Sequence, residues 1–146
     1  MCGIFGTISS GNLYRAEIEK MAQKALRRGS DASGMLIFKD QRYSITRSTE
    51  NIKALVKREF KGGSNVFLGH SRLVTNDNIN NQPVYRDGIA VFHNGIIVNY
   101  KDIAKKYNFD LELEIDTEVI ALLVRKGLAS GDLEDAVNFV LAECQG

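Results

Sequence analysis

The sequence predicts an α+β fold in one domain spanning residues 1–146. Three observations carry that expectation. Strand-like runs follow one another through the middle of the chain, helical-period segments flank them, and no interdomain linker or repeat interrupts the pattern. A chain of this length is enough for one domain with a real core and too short for two domains.

Ile4-Phe5-Gly6-Thr7-Ile8 reads as the start of a buried first strand, and Ser9-Ser10-Gly11-Asn12 as the turn after it. From Glu17 to Arg28, the residues Ile18, Met21, Ala22, Ala25 and Leu26 recur at amphipathic-helix spacing. Arg27 and Arg28 in the last turn suit the negative end of the helix dipole, and Gly29 marks the stop. Gly34 to Asp40 and Arg42 to Arg47 are β-rich runs around Lys39-Asp40-Gln41, which predicts a hairpin. Ile52, Leu55, Val56 and Phe60 form a second helical face, ended by Gly62-Gly63. Val66 to His70 is a buried strand leading into Ser71-Arg72. The polar stretch Asn76 to Gln82 is a loop, closed by Pro83.

Gly88 to His93 reads as a further strand, Asn94-Gly95 as a type I′ hairpin turn, and Ile96-Ile97-Val98 as the return. A short helix is expected from Asn99 to Tyr107. Thr117 to Leu128 and Leu133 to Glu143 are the last two helices, with Asp116 and Asp132 as N-caps and Gly127 and Gly131 as the break between them. Leu133, Ala136, Val137, Val140 and Leu141 make the apolar stripe of the final helix, with Cys144 a small hydrophobe at its end.

Composition narrows the function. The chain is 44% hydrophobic and 25% charged, with 19 basic against 18 acidic residues and a net charge of +1. That balance gives no electrostatic case for a nucleic acid or an anionic membrane as partner, and no apolar run is long enough to span a bilayer. Cys2 and Cys144, at opposite ends, make no disulfide framework. No secretory leader is read, so the expected compartment is a reducing cytoplasm. Neither cysteine nor His70 nor His93 falls at metal-ligand spacing, so no metal and no cofactor is expected.

Cys2 follows directly on Met1, and a small second residue favours removal of the initiator methionine. Cys2 would then carry a thiol and a free α-amine on one residue. Such an amine titrates at about 7.7–8.0 when unperturbed, well placed to serve as a base near neutral pH. A nucleophile activated by its own terminal amine is a known alternative to a Cys-His pair. On position alone, a cysteine after Met is more often accidental than catalytic. The company it keeps raises the catalytic reading.

Five stretches stand out in order: Cys2-Gly3-Ile4, Arg28-Gly29-Ser30-Asp31-Ala32-Ser33-Gly34, Gly69-His70-Ser71-Arg72-Leu73-Val74-Thr75, His93-Asn94-Gly95 and Asp116-Thr117-Glu118. Together they closely resemble the class II glutamine amidotransferase domain, the N-terminal-nucleophile glutaminase of glucosamine-6-phosphate synthase, amidophosphoribosyltransferase and asparagine synthetase. The resemblance covers nearly the whole chain. It implies a four-layer αββα sandwich and hydrolysis of L-glutamine to glutamate and ammonia.

The resemblance also assigns roles. Cys2 is the nucleophile; the Asn94 side chain and the Gly95 N–H are the oxyanion donors, one of which is typically worth ~10²–10³ in rate. Arg72 matches the clamp on the substrate α-carboxylate, Asp116 the partner of its α-ammonium, and Thr75 a position that helps hold the substrate. Gly3, Arg28, Asp31 and Gly34 fall in supporting motifs near the nucleophile, and His70 and His93 are expected as hydrogen-bonded scaffold. With the amine as base, no catalytic histidine is required.

Arg72-Leu73 is closer to asparagine synthetase, whereas the stretch from Arg28 and the Asp116-Thr117-Glu118-Val119-Ile120 run are closer to the sugar-phosphate synthase. Thr75-Asn76-Asp77 replaces a Thr-x-Gly common in the family. Family domains continue past a glycine like Gly146 with further core strands, so an incomplete domain is expected. Its expected partners are L-glutamine and an ammonia-acceptor synthase or transferase domain or subunit absent from this chain, or self-association as a homo-oligomer. The rival expectation is a non-catalytic remnant, or one chain of a split enzyme, that binds glutamine or a partner protein.

Overall fold

A computed structural model describes residues 2–73, 81–113 and 115–146. The chain divides into two compact units, Met1–Pro83 and Val84–Gly146.

The first unit is an antiparallel sheet with a helical layer. It contains β1 (Gly3–Ile8), α1 (Arg15–Ala25) running into one 3-10 turn (Leu26–Arg28), β2 (Ala32–Lys39), β3 (Arg42–Ser48), α2 (Ile52–Glu59) and β4 (Val66–Arg72). The strand order is β1-β4-β2-β3. The β2–β3 hairpin turns on Asp40 and Gln41, at φ 50° and 60°, the left-handed pair whose twist matches the flanking strands. Phe5, Met35, Ile37 and Phe67 alternate onto one sheet face, where they meet Ile18, Ala22, Ile52, Leu55, Val56 and Phe60 from the helices. Phe60 packs edge-on to Phe67 with ring centroids 5.3 Å apart. Burying each large side chain of this set contributes about 1.5–3 kcal/mol, which makes it the core of the unit.

Here β1 departs from the sequence reading. The strand forms, but Ile4 and Ile8 are 46% and 78% exposed. A contiguous apolar run does not reveal which positions face the helices, and β1 is an edge strand, with β4 as its only neighbour among the described residues.

The second unit contains β5 (Val84–Arg86), β6 (Ile89–Val91), α3 (Tyr100–Tyr107), α4 (Thr117–Leu128) and α5 (Leu133–Glu143). The last two helices fall where capping and periodicity place them. Asp132 and Asp135 form a capping box at the start of α5. α4 is the buried centre of the unit: Val119 and Leu123 pack with Ile97, Ile103 and Ala104, flanked by Tyr107, Phe109, Phe139, Val140 and Cys144.

Three expectations are corrected here. The hairpin lies at Asp87-Gly88, with φ 50° and 87°, between β5 and β6, and not at Asn94-Gly95. Gly127 lies inside α4 and ends nothing; a Cβ there would come within 2.6 Å of the Ala136 Cα, so it permits close packing of α4 on α5. The buried line of α5 runs through Ala136, Phe139, Val140 and Cys144. Leu133, Val137 and Leu141 are 64%, 45% and 72% exposed, so the helix is rotated from the expected stripe by about one position.

The fold is α+β, as the strand and helix order predicts. Among the described residues no helix is long and apolar enough to cross a membrane.

Candidate active site

The site residues named from sequence fall into two groups, one in each unit. In the first unit, Cys2 directly precedes β1. Gly3 is paired with Ser71 in the antiparallel β1–β4 register, and β4 ends one residue later at Arg72. Cys2 and Arg72 therefore stand at the same end of adjacent strands. Both are partly exposed.

The Arg28–Asp31 turn clasps that end of the sheet. The Gly29 carbonyl accepts the Ser71 hydroxyl, and the Asp31 N–H donates to the Arg72 carbonyl at 2.9 Å. A Cβ on Gly29 would overlap the backbone of Arg72 and Leu73. Gly29 has φ 175°, ordinary extended backbone, so it is needed for close approach and not for the helix stop that sequence suggests. Gly3 is seated against the same turn: a Cβ there would lie 3.1 Å from both the Ala25 carbonyl oxygen and the Arg28 Cβ. Ser30 donates to the Asp31 carboxylate at 3.2 Å. His70 is fully buried on β4, in register with Ile4 and Gly34. Thr75 lies outside the described residues.

In the second unit, Asn94 and Gly95 follow β6 in irregular backbone, and neither has a positive φ. The backbone N–H groups just past Gly95 have partners elsewhere in the unit. The Ile97 N–H donates to Asp116 Oδ2 at 2.8 Å, and the Val98 N–H to the Gln145 carbonyl at 2.8 Å. The Asn99 side chain joins this seam, donating to the Glu143 carbonyl at 2.8 Å and accepting the Gln145 N–H at 3.0 Å.

Asp116 does two jobs. Its Oδ1 accepts the Thr117 N–H at 2.8 Å and lies 3.3 Å from the Thr117 hydroxyl, capping α4, while Oδ2 holds Ile97. That hydroxyl also lies 3.3 Å from His93 Nδ1. The His93 ring fills the space beside Gly95, where a Cβ would come within 2.7 Å of Nε2. Asp116, Thr117 and His93 therefore set the path of the Asn94-Gly95 loop from both sides.

No family model matches the chain. Over its whole length it is 31% identical to the glutamine–fructose-6-phosphate aminotransferase (isomerizing) of Bordetella pertussis, covering 26% of that protein. The same-named protein of Thermotoga maritima is 31% identical over the whole length of this chain, which covers 25% of that protein. Among solved structures, 99% of the chain superposes on the glutamine phosphoribosylpyrophosphate amidotransferase of B. subtilis, with a TM-score of 0.70, 20% identity and 33% of that chain covered. The chain is a class II glutamine-amidotransferase-like domain.

A second solved structure, described as the allosteric regulatory enzyme of purine biosynthesis, matches the domain with a TM-score of 0.75 at 20% identity, over 34% of that chain. These likenesses show the N-terminal-nucleophile hydrolase fold. The amidotransferase-like domain spans about a quarter of the length of the curated relatives it matches.

Three residues given no role by sequence hold the second group in place: Thr117, Glu118 and Arg86. Thr117 and Glu118 are visible only as part of the Asp-Thr-Glu run. Arg86 has one local signal, its place before Asp87-Gly88, the hairpin dipeptide that sequence reading passes over in favour of Asn94-Gly95.

Proposed function

We propose that this domain hydrolyses L-glutamine to glutamate and ammonia through a Cys2 thioester, as the ammonia-supplying part of a cytoplasmic glutamine-dependent amidotransferase. The observation that carries the reading is the placement of Cys2 beside the strand-terminal Arg72. The nucleophile thereby stands just before one strand, where an arginine ends the neighbouring one. An arginine there suits bidentate capture of an α-carboxylate within reach of an attacking sulfur.

In this scheme Met1 is removed and the α-amine of Cys2 takes the thiol proton. The sulfur adds to the side-chain amide carbon of glutamine. The oxyanion is met by the Asn94 side chain and the Gly95 N–H, donors that act at the charge developing in the transition state. The ammonium of Cys2 returns its proton to the departing nitrogen, ammonia leaves, and water hydrolyses the thioester with the same amine as base. Arg72 binds the α-carboxylate, Asp116 the α-ammonium, and Thr75 helps hold the substrate. A carboxylate has about four acceptor sites, so Asp116 can keep its bonds to Ile97 and Thr117 and still receive an ammonium proton. Gly3, Arg28, Asp31, His70 and His93 are support.

The names of the curated relatives favour a sugar phosphate as ammonia acceptor, held on a domain or subunit outside this chain. The test is glutamate release from L-glutamine by protein whose loss of Met1 is confirmed by intact mass, with Cys2→Ala beside it. Release that is abolished in Cys2→Ala supports the reading. Equal release in both, or none in either, overturns autonomous glutaminase activity in favour of a non-catalytic glutamine- or partner-binding chain.

A further inference from the structure

The Val84–Gly146 unit buries a charged pair that no step of the proposed reaction uses. Glu118 is 0% exposed, and the Arg86 side chain is 12% exposed. Arg86 Nη1 donates to Glu118 Oε1. The same oxygen accepts the Glu112 N–H at 3.0 Å, and Oε2 accepts the Leu113 N–H at 2.9 Å. Arg86 also donates to the Asp110 carbonyl at 3.2 Å and pairs with the Glu112 carboxylate at 3.4 Å. One carboxylate thus joins the end of β5, the 110–113 segment and the first turn of α4.

Two residues earlier, on the same turn, Asp116 holds Ile97. At 3.6 residues per turn the two side chains leave the helix about 200° apart, so they grip opposite flanks of it. A buried ion pair is a poor source of net stability, because desolvation offsets the attraction and apolar side chains of similar volume often serve as well. An apolar pair cannot supply directed bonds to two amides and a guanidinium.

We infer that Arg86 and Glu118 are positioning residues that set the rotation of the first turn of α4, and through it the grip of Asp116 on the Asn94-Gly95 loop. The consequence for glutamine rests on the glutaminase reading above; the consequence for the loop does not.

The experiment compares the wild-type chain with the Arg86→Met/Glu118→Leu double variant and with Glu118→Gln. Residue-resolved amide exchange and glutamine kinetics are read in each. In a folded double variant the Ile97 amide exchanges about tenfold faster or more, while Leu122 and Leu123 inside α4 keep their protection. The KM for glutamine rises about tenfold with a smaller change in kcat, because a misplaced Asp116 weakens substrate binding first. Glu118→Gln keeps the shape and one acceptor oxygen and shows the same Ile97 effect, reduced. Unchanged Ile97 exchange in either folded variant overturns the proposal. So does uniform loss of protection across the unit in both variants, which would make the pair merely structural. If wild-type protein releases no glutamate, the glutaminase reading falls while Ile97 exchange still decides the positioning role.

Discussion

Asp116 Oδ2 accepts the backbone N–H of Ile97 at 2.8 Å, so the residue that caps α4 also anchors the chain just past Asn94-Gly95. Ile97 is 8% exposed, and its N–H would be left in an apolar setting without that carboxylate. Losing an N-cap typically costs ~1 kcal/mol, and a buried unsatisfied N–H a further ~1–3 kcal/mol. Asp116→Ala is therefore expected to lower unfolding free energy by about 2–4 kcal/mol in urea titration. Asp116→Asn, which keeps one acceptor, should lose less. A loss under ~0.5 kcal/mol for the alanine variant would show that the two bonds contribute little.

His93 and Gly95 are predicted to be energetically coupled. A methyl on Gly95 would press on His93 Nε2, and that ring is tethered through Nδ1 to Thr117. Overpacking of this kind costs about 1–3 kcal/mol. Gly95→Ala alone should be destabilising, while Gly95→Ala made in a His93→Ala background should cost much less. The double-mutant cycle is expected to give an interaction energy of at least about 1 kcal/mol, and strict additivity would show that the ring yields freely.

The elements defined by side-chain period and caps were legible in the sequence: α4 and α5 from Asp116 and Asp132, and the β2–β3 hairpin from the apolar runs beside Asp40-Gln41. Burial direction was not. Ile4 and Ile8 belong to an apolar run whose inward side is set by α1 and α2, and α5 turns on Ala136 because Gly127 admits it closely. The Asn94-Gly95 dipeptide carries the strongest local turn signal, yet the Val98 N–H, which a two-residue hairpin would pair back to β6, goes to the Gln145 carbonyl. Short-range propensity loses there to a backbone bond from the far end of the unit. The candidate residues were legible as motifs, whereas the Arg86–Glu118 pair was not, because its logic is visible only when residues 86, 112, 113 and 118 are seen together.

Gly29 is predicted to be among the least replaceable residues of the first unit. The obstacle to a side chain is the backbone of Arg72 and Leu73, which cannot swing aside as a flexible side chain would. Gly29→Ala should therefore either separate the Arg28–Asp31 turn from β4 or prevent folding, with a loss above ~3 kcal/mol. Gly11→Ala is the control. Nothing lies within 4 Å of a Cβ at Gly11, and its φ is not positive. That variant should be neutral or more stable by up to about 1 kcal/mol through restriction of the unfolded chain. Equal thermal midpoints for the two variants would count against the close contact at Gly29.

The two cysteines are predicted to differ in reactivity. Burial against the α3–α4–α5 cluster pushes the Cys144 thiol above its ordinary value, and the neighbouring Glu143 carboxylate adds to the rise. The neutral thiol is thus favoured in the native state. Only the thiolate is alkylated, so iodoacetamide should modify Cys144 more slowly in folded protein than in urea, with a rate still climbing past the ordinary thiol range near ~8.5. A thiol raised on folding contributes stability at pH values below its unfolded pKa, and that contribution is lost as pH rises through the folded value. Cys144→Ala should accordingly flatten the alkaline side of the stability profile. On the proposed reaction, limited alkylation of Cys144→Ala protein should still abolish glutamate release through Cys2. In Cys2→Ala protein the same treatment should report Cys144 alone. Peptide mass mapping over a pH series measures both, and equal native and unfolded rates at Cys144 would contradict its burial.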